Sequence, residues 1–248
     1  MPKKQRRSGI YLLPNLFTTG CLFAAFYSIV ASLHRQHSAA AIAIFIGMVA
    51  DGLDGRIARL TKTQTPFGAQ YDSLSDMVTF GVAPALLLYS SNLHKFGEVG
   101  WLIAFIFTAT VALRLARFNT QIGTMDKKYF QGLPCPSAAA IIAAFCWLGS
   151  QFAWSNIAFS AISGFLAIIT GILMVSNIRY YSFKELDFKG KIPFLHLLLM
   201  LSLFVAVAIK PAVVILFAFL FYALFGPVQT LIGLSKVRKQ RRPRKRNS

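Results

Sequence analysis

Residues 39–92 read AAAIAIFIGMVADGLDGRIARLTKTQTPFGAQYDSLSDMVTFGVAPALLLYSSN, two apolar runs with a polar connection between them and four aspartates at the seam. Each run, 39–59 and 73–92, holds about twenty residues, enough at 1.5 Å per residue to cross roughly 30 Å of hydrocarbon as a helix. The connection 60–71 carries Thr61, Thr63, Thr65, Pro66 and Gly68 and is short enough to make the two helices antiparallel neighbours. Working outward, runs of the same kind occupy 10–33, 99–118, 136–153, 157–176, 192–209 and 211–234. The expectation is an all-α integral membrane protein of about eight transmembrane helices. Only Lys210-Pro211 separates the last two runs, which also read as one kinked or re-entrant pair.

Composition agrees. Of the 248 residues 56% are hydrophobic and 14% charged, against about 25% charged in soluble domains. Short alternating segments of the β-barrel kind are absent from the sequence. The expected organisation is a basic amino terminus, 1–9, one transmembrane catalytic domain, 10–234, and a basic tail, 235–248. The first run lacks a small-residue cleavage pattern and is expected to be retained. Cys21, Cys135 and Cys146 fall in or beside apolar runs without metal-type spacing, which reads as buried thiols.

The net charge of +18 is distributed by side. Arg59 and Lys62 follow the second run, Lys127 and Lys128 the fourth, and Arg179, Lys184, Lys189 and Lys191 the sixth, whereas the alternate loops hold Arg35, Lys95 and Lys210. Lysine and arginine accumulate on cytoplasmic loops, so both termini are expected in the cytoplasm, with anionic lipid as an added attraction. The basic tail lacks the interleaved aromatic residues of a nucleic-acid module, and no nucleic-acid partner is expected.

Only eight acidic residues occur in the chain, and Asp51, Asp54, Asp72 and Asp76 are four of them. An ionised carboxylate within a membrane costs about 2.5–3.5 kcal/mol even on a lenient scale, so four together require a partner. Asp51 and Asp54 are three residues apart and Asp72 and Asp76 four apart, so each pair shares one helical face. Converging carboxylates suit a hard divalent cation, Mg²⁺ or Mn²⁺, and four of them suit two ions better than one. Gly55 and Gly68 lie one turn from these aspartates, where a flat ligand can approach the backbone, and Arg59 lies close enough to meet a phosphate.

In full, Asp51-x-x-Asp54-Gly55-x-x-Ala58-Arg59, eight residues, then Gly68-x-x-x-Asp72-x-x-x-Asp76 resembles the signature of the CDP-alcohol phosphotransferase family. The resemblance implies a helical fold around a cytoplasm-facing polar cavity. It implies that the four aspartates ligate metal, with Asp76 also the general base, and that Gly55, Ala58, Arg59 and Gly68 hold the CDP-lipid. Pro14-Asn15-x-x-Thr18, Arg114-Leu115-Ala116-Arg117-Phe118-Asn119 and Gly132-Leu133-Pro134-x-Pro136 resemble the bacterial and archaeal phosphatidylserine-forming branch. That narrower resemblance implies CDP-diacylglycerol and L-serine as substrates, Asn15 and Thr18 on the CDP-lipid, and Arg114, Arg117 and Asn119 on the acceptor or a phosphate. It also implies a homodimer in a bacterial inner membrane. From the residues alone, glycerol 3-phosphate, an inositol phosphate or choline stays open as acceptor, because Arg114 and Arg117 together would suit a phosphorylated alcohol. A divalent cation transporter is the rival of another class, disfavoured by the single copy of the aspartate cluster.

Overall fold

The computed structural model of the chain describes residues 12–61, 63, 65–120, 129–152, 156–181, 201–202 and 205–241. Within them the helices are α1 (Leu12–Leu33), α2 (His37–Thr61), α3 (Pro66–Asp76), α4 (Ala83–Ser91), α5 (Glu98–Thr120), α6 (Cys135–Gln151), α7 (Ile157–Val175) and α8 (Pro211–Arg241). A π-helical segment, Met77–Val82, joins α3 to α4, so that Pro66–Ser91 forms one rod. Six helices are long and apolar enough to cross a membrane, and α6 is a shorter apolar helix. The chain is therefore helical and membrane-integral, with six candidate crossings among the described residues where eight were expected. Most of the expected 192–209 span lies outside those residues.

The surface follows from the solvent. Phe23, Phe26, Phe105, Phe165, Phe217 and Phe221 are all exposed; in water such a surface would promote association, and in hydrocarbon it is the ground state. Small residues let the helices approach. Ala24, Ala25 and Ala31 of α1 and Ala40, Ala41 and Ala43 of α2 are buried, and a Cβ on Gly47 would come within 2.9 Å of the Thr79 methyl. At the centre stands α6, which buries thirteen of its seventeen residues, mostly alanine and isoleucine. All three cysteines are buried and free.

Two boundaries differ from the hydropathy reading, and the difference matters for the site. The α2 helix continues to Thr61 and the next helix begins at Pro66, so the connection is 62–65 rather than 60–71. Thr65 caps α3: its Oγ1 accepts the Gly68 N–H at 3.0 Å, and Pro66 occupies the first turn, where a missing N–H is harmless. The polar residues that end the apolar runs thus remain helical, and Asp54 and Ser75 among them are buried. Consequently the aspartates lie within the helices, not at their tips.

A short antiparallel ladder, β1 (Tyr129–Gln131) with β2 (Arg179–Tyr181), was not legible in the sequence; it pairs Tyr129 with Tyr181, Phe130 with Tyr180 and Gln131 with Arg179. Gly132 leaves it at φ 75°, a conformation that favours glycine. Its N–H donates to Ile178 O at 2.8 Å, and the Leu133 N–H to Leu173 O at 3.0 Å. The Gly132-Leu133-Pro134 string is therefore the turn that seats the start of α6 against the end of α7. Tyr180 is buried beneath α8, donating its hydroxyl to Ala223 O at 3.0 Å.

Candidate active site

Antiparallel packing of α2 and α3 brings Asp51, Asp72 and Asp76 together, each offering a carboxylate oxygen within 4.8 Å of the other two. At that separation two like charges repel by about 3 kcal/mol at an effective dielectric near 20, so the trio needs compensating positive charge or a shared proton. Asp76 Oδ1 is buried and has no hydrogen-bond partner. An oxygen-only donor set with an orphaned buried acceptor fits a hard divalent cation. The residues present thus fit the expected metal chemistry, and three of the four expected carboxylates converge most closely.

Asp54 is turned elsewhere. It is buried, and Thr18 of α1 donates Oγ1–H to its Oδ2 at 2.9 Å. The same hydroxyl lies 3.1 Å from Pro14 O, so two acceptors compete for one proton. Further contacts fasten α1 to the rod: Ser75 Oγ donates to Thr18 O at 3.2 Å, and the Thr19 and Tyr71 hydroxyls lie 2.9 Å apart. Thr18 was expected on the CDP-lipid; its position lets it orient Asp54 as well.

Between α1, α2 and α3 lies a cavity of about 260 Å³. Asn15 and Thr18 line it from α1, Asp54, Gly55 and Ala58 from α2, and Gly68 and Asp72 from α3. A Cβ on Gly55 would meet nothing within 4 Å, so that backbone is open to a ligand. A Cβ on Gly68 would approach the Thr65 hydroxyl at 3.1 Å and Asn15 Oδ1 at 3.4 Å. Thr63 and Thr65, treated as connection residues in the sequence reading, also line the cavity. The threonine before Pro66 was the available signal for a cap at that place.

The π-helical segment starts immediately after Asp76. Its wider turn shifts the register of everything that follows, so α4 presents a different face from the one a continuous α-helix would present. Thr79 anchors it, donating to Ser75 O at 2.9 Å with its hydroxyl 3.2 Å from Cys21 Sγ. Hydropathy periodicity does not register one extra residue in a turn.

The arginines divide. Arg59 is exposed and donates Nε–H to Gly55 O on its own helix at 2.8 Å. Arg117 donates to Val175 O at 3.1 Å, to Gln131 Oε1 at 2.7 Å and to Asn177 Oδ1, tying α5 to the end of α7 and to β1. Arg114 is half-buried and donates Nη1–H to Cys135 Sγ at 3.2 Å. Asn119 pairs with Ser73, beside Asp72, donating Nδ2–H to Ser73 Oγ at 3.0 Å.

Comparison with known proteins agrees with this geometry. The family of CDP-alcohol phosphatidyltransferases matches residues 11–178. The chain is 35% identical over 228 residues to a CDP-diacylglycerol–serine O-phosphatidyltransferase of Helicobacter pylori, covering 92% of this chain and 94% of that one. It is 42% identical over 137 residues to the protein of the same description from Methanocaldococcus jannaschii, covering 55% of this chain and 61% of that one. An archaetidylserine synthase of Methanothermobacter thermautotrophicus is 34% identical over 182 residues, 73% of this chain and 74% of that one.

Proposed function

The chain belongs to the CDP-alcohol phosphatidyltransferase family, and from that membership we propose that it transfers the phosphatidyl group of CDP-diacylglycerol to L-serine, giving phosphatidylserine and CMP. The observation that carries the chemistry is the convergence of Asp51, Asp72 and Asp76, with Asp76 Oδ1 unpartnered, beside a cavity lined by the other signature residues. The choice of serine rests on the relatives.

Asp51, Asp72 and Asp76, joined by Asp54 from the cavity wall, would hold the divalent metal, Mg²⁺ or Mn²⁺, as two ions. When bound, the metal supplies positive charge that neutralises the pyrophosphate and stabilises the departing CMP. The chain's residues supply the rest. Gly55 and Gly68 leave their backbones open to the nucleotide, Ala58 keeps the wall small, and Asn15 offers a side-chain amide to the cytidine or ribose. Arg59 is long enough to leave its intrahelical bond for a phosphate when the lipid enters.

In the reaction the serine hydroxyl gives its proton to the Asp76 carboxylate as its oxygen bonds to the phosphorus carrying diacylglycerol. The bond from that phosphorus to the bridging oxygen breaks, and CMP leaves with the electron pair. Holding base, hydroxyl and phosphorus within one helix hairpin is the main contribution of the fold.

Loop charge supports a cytoplasmic location for both termini and the cavity mouth, in the bacterial inner membrane. A homodimer belongs to the same reading. The test is CMP release and lipid product from purified protein with CDP-diacylglycerol and Mg²⁺ or Mn²⁺, offered L-serine, glycerol 3-phosphate or an inositol phosphate. Metal-dependent phosphatidylserine is the expected product; product with only another alcohol keeps the chemistry and rejects serine.

A further inference from the structure

A second cavity, of about 680 Å³, opens between α6 and α8. Ser137 lines it from the first turn of α6, and Ala218, Phe221, Tyr222, Phe225 and Gln229 line it from α8. On α8 these positions recur at three- and four-residue intervals and form one helical face. Phe221 and Phe225 stack along it with ring centroids 6.1 Å apart. From the neighbouring face Tyr180 fixes α8 in place, donating to Ala223 O and packing against Gly226.

Side-chain contacts and depth both place this groove beside the carboxylates. Cys135, two residues before Ser137, accepts from Arg114 Nη1 at 3.2 Å and lies within Coulombic range of Asp76. Tyr222, on the groove wall, lies within Coulombic range of Arg114. Counted from Pro211 at 1.5 Å per residue, Ala218 is about 10 Å and Gln229 about 27 Å along α8. The groove therefore occupies the half of a roughly 30 Å hydrocarbon core that ends at Gln229, in the last turn of the span. Asp76 lies at a similar depth, about 22 Å along its rod from Ser91, and Ser91 meets Cys146 at the far end of α6.

A CDP-activated lipid is part nucleotide and part hydrocarbon, and the cavity between α1, α2 and α3 provides for the nucleotide. We propose that the α6–α8 groove receives one acyl chain of the CDP-lipid while the nucleotide occupies the other cavity. This deepens the donor reading and rests on CDP-diacylglycerol as substrate. The α8 helix lies outside residues 11–178, the part matched by the family, so the groove is added to the shared core by the C-terminal part of the chain. Its shape suits a flexible chain better than another helix. Helices approach closely through small residues, as α1 and α2 do, whereas this wall presents Phe221 and Phe225.

The experiment compares the full-length wild type, Ala218→Trp and Leu224→Trp in mixed micelles, with dioctanoyl and dipalmitoyl CDP-diacylglycerol and L-serine as acceptor. Lipid partition into the micelle is common to the three proteins and cancels between them. Burying one methylene is worth about fourfold in binding. Ala218→Trp, which fills the deep end of the groove, should raise the dipalmitoyl KM about tenfold and leave the dioctanoyl KM within about twofold. Leu224 is exposed and lies off that face, so Leu224→Trp should change neither. Independently of turnover, CDP-diacylglycerol with a diazirine at the end of one chain is photolysed on the wild type, and its adduct is expected on α8 between Phe217 and Phe225. Equal KM changes for the two lipids in Ala218→Trp, or adducts confined to other helices, overturn the proposal. So does a groove closed by a second copy, seen as Ala218→Trp lowering the mass of the solubilised particle with no adduct on α8. An α8 adduct on a protein that makes no lipid from any acceptor keeps the groove and rejects the transferase reading. Phosphatidylserine formed without an α8 adduct rejects the groove alone.

Discussion

The α2–α3 hairpin and the α6 helix belong to one bundle, yet they are held by different physics. The α6 helix buries Ala138–Ala144 without a break and meets its neighbours mainly through apolar side chains, so its position is set chiefly by packing. The α3 helix buries only Ser75 of its eleven residues and carries Asp72 and Asp76, while Asp51 and Asp54 face it from α2. Its geometry is costly without a bound partner. The contrast separates what holds the fold from what performs the chemistry, and it predicts that substitutions on the two sides fail in different ways.

The largest expected effect on the hairpin side is Asp76→Asn. Removing the base should lower kcat by about 10³-fold while at least part of the CDP-diacylglycerol binding is preserved. If turnover survives, Asp76 is not the base. On the scaffold side the corresponding change is Gly132→Ala, where the left-handed φ and the carbonyl of Met174 both oppose a Cβ. It should cost about 2 kcal/mol of stability and reduce the fraction of active protein, with both KM values unchanged in what remains folded. A changed KM with unchanged stability would place Gly132 in the site and weaken the contrast.

Next in size is the response to metal. Mg²⁺ or Mn²⁺ should raise the unfolding temperature in detergent, since an ion that binds only the folded state stabilises it by about 2.7 kcal/mol at a hundredfold excess over Kd. Asp72→Asn should abolish most of that rise, whereas a change confined to α6 should preserve it. Smaller again is Thr18→Val, which removes the hydroxyl from Asp54 and is expected to lower kcat/KM about tenfold, with Thr18→Ser close to wild type. Equal loss in both variants would assign Thr18 to packing. Gly55→Ala should be the mildest: its Cβ meets no atom, so stability holds or rises slightly while the CDP-diacylglycerol KM climbs about threefold.

Sequence reading recovered the membrane class, the helical hairpin and the residues at its seam because these are properties of local order. Apolar length, the polar connection and the three- and four-residue spacings need no distant contact to be seen. It misjudged where the helices end: hydropathy falls at Leu60 and recovers near Ser73, yet the backbone stays helical to Thr61 and resumes at Pro66. A polar face directed inward looks, in a one-dimensional profile, the same as a loop.

What the sequence determined by itself, then, was that the chain is membrane-integral and that Asp51, Asp54, Asp72 and Asp76 share the faces of two antiparallel helices. Spacing along a helix dictates direction, and charge in hydrocarbon requires a reason. Tertiary structure alone decided which of these groups meet. It gathered Asp51, Asp72 and Asp76 and turned Asp54 toward Thr18. It engaged Arg117 with Val175, Gln131 and Asn177 while leaving Arg114 Nε unpaired. Two arginines three residues apart are equivalent in a sequence, and they become different when distant parts of the chain supply three oxygen acceptors to one and a cysteine sulfur to the other.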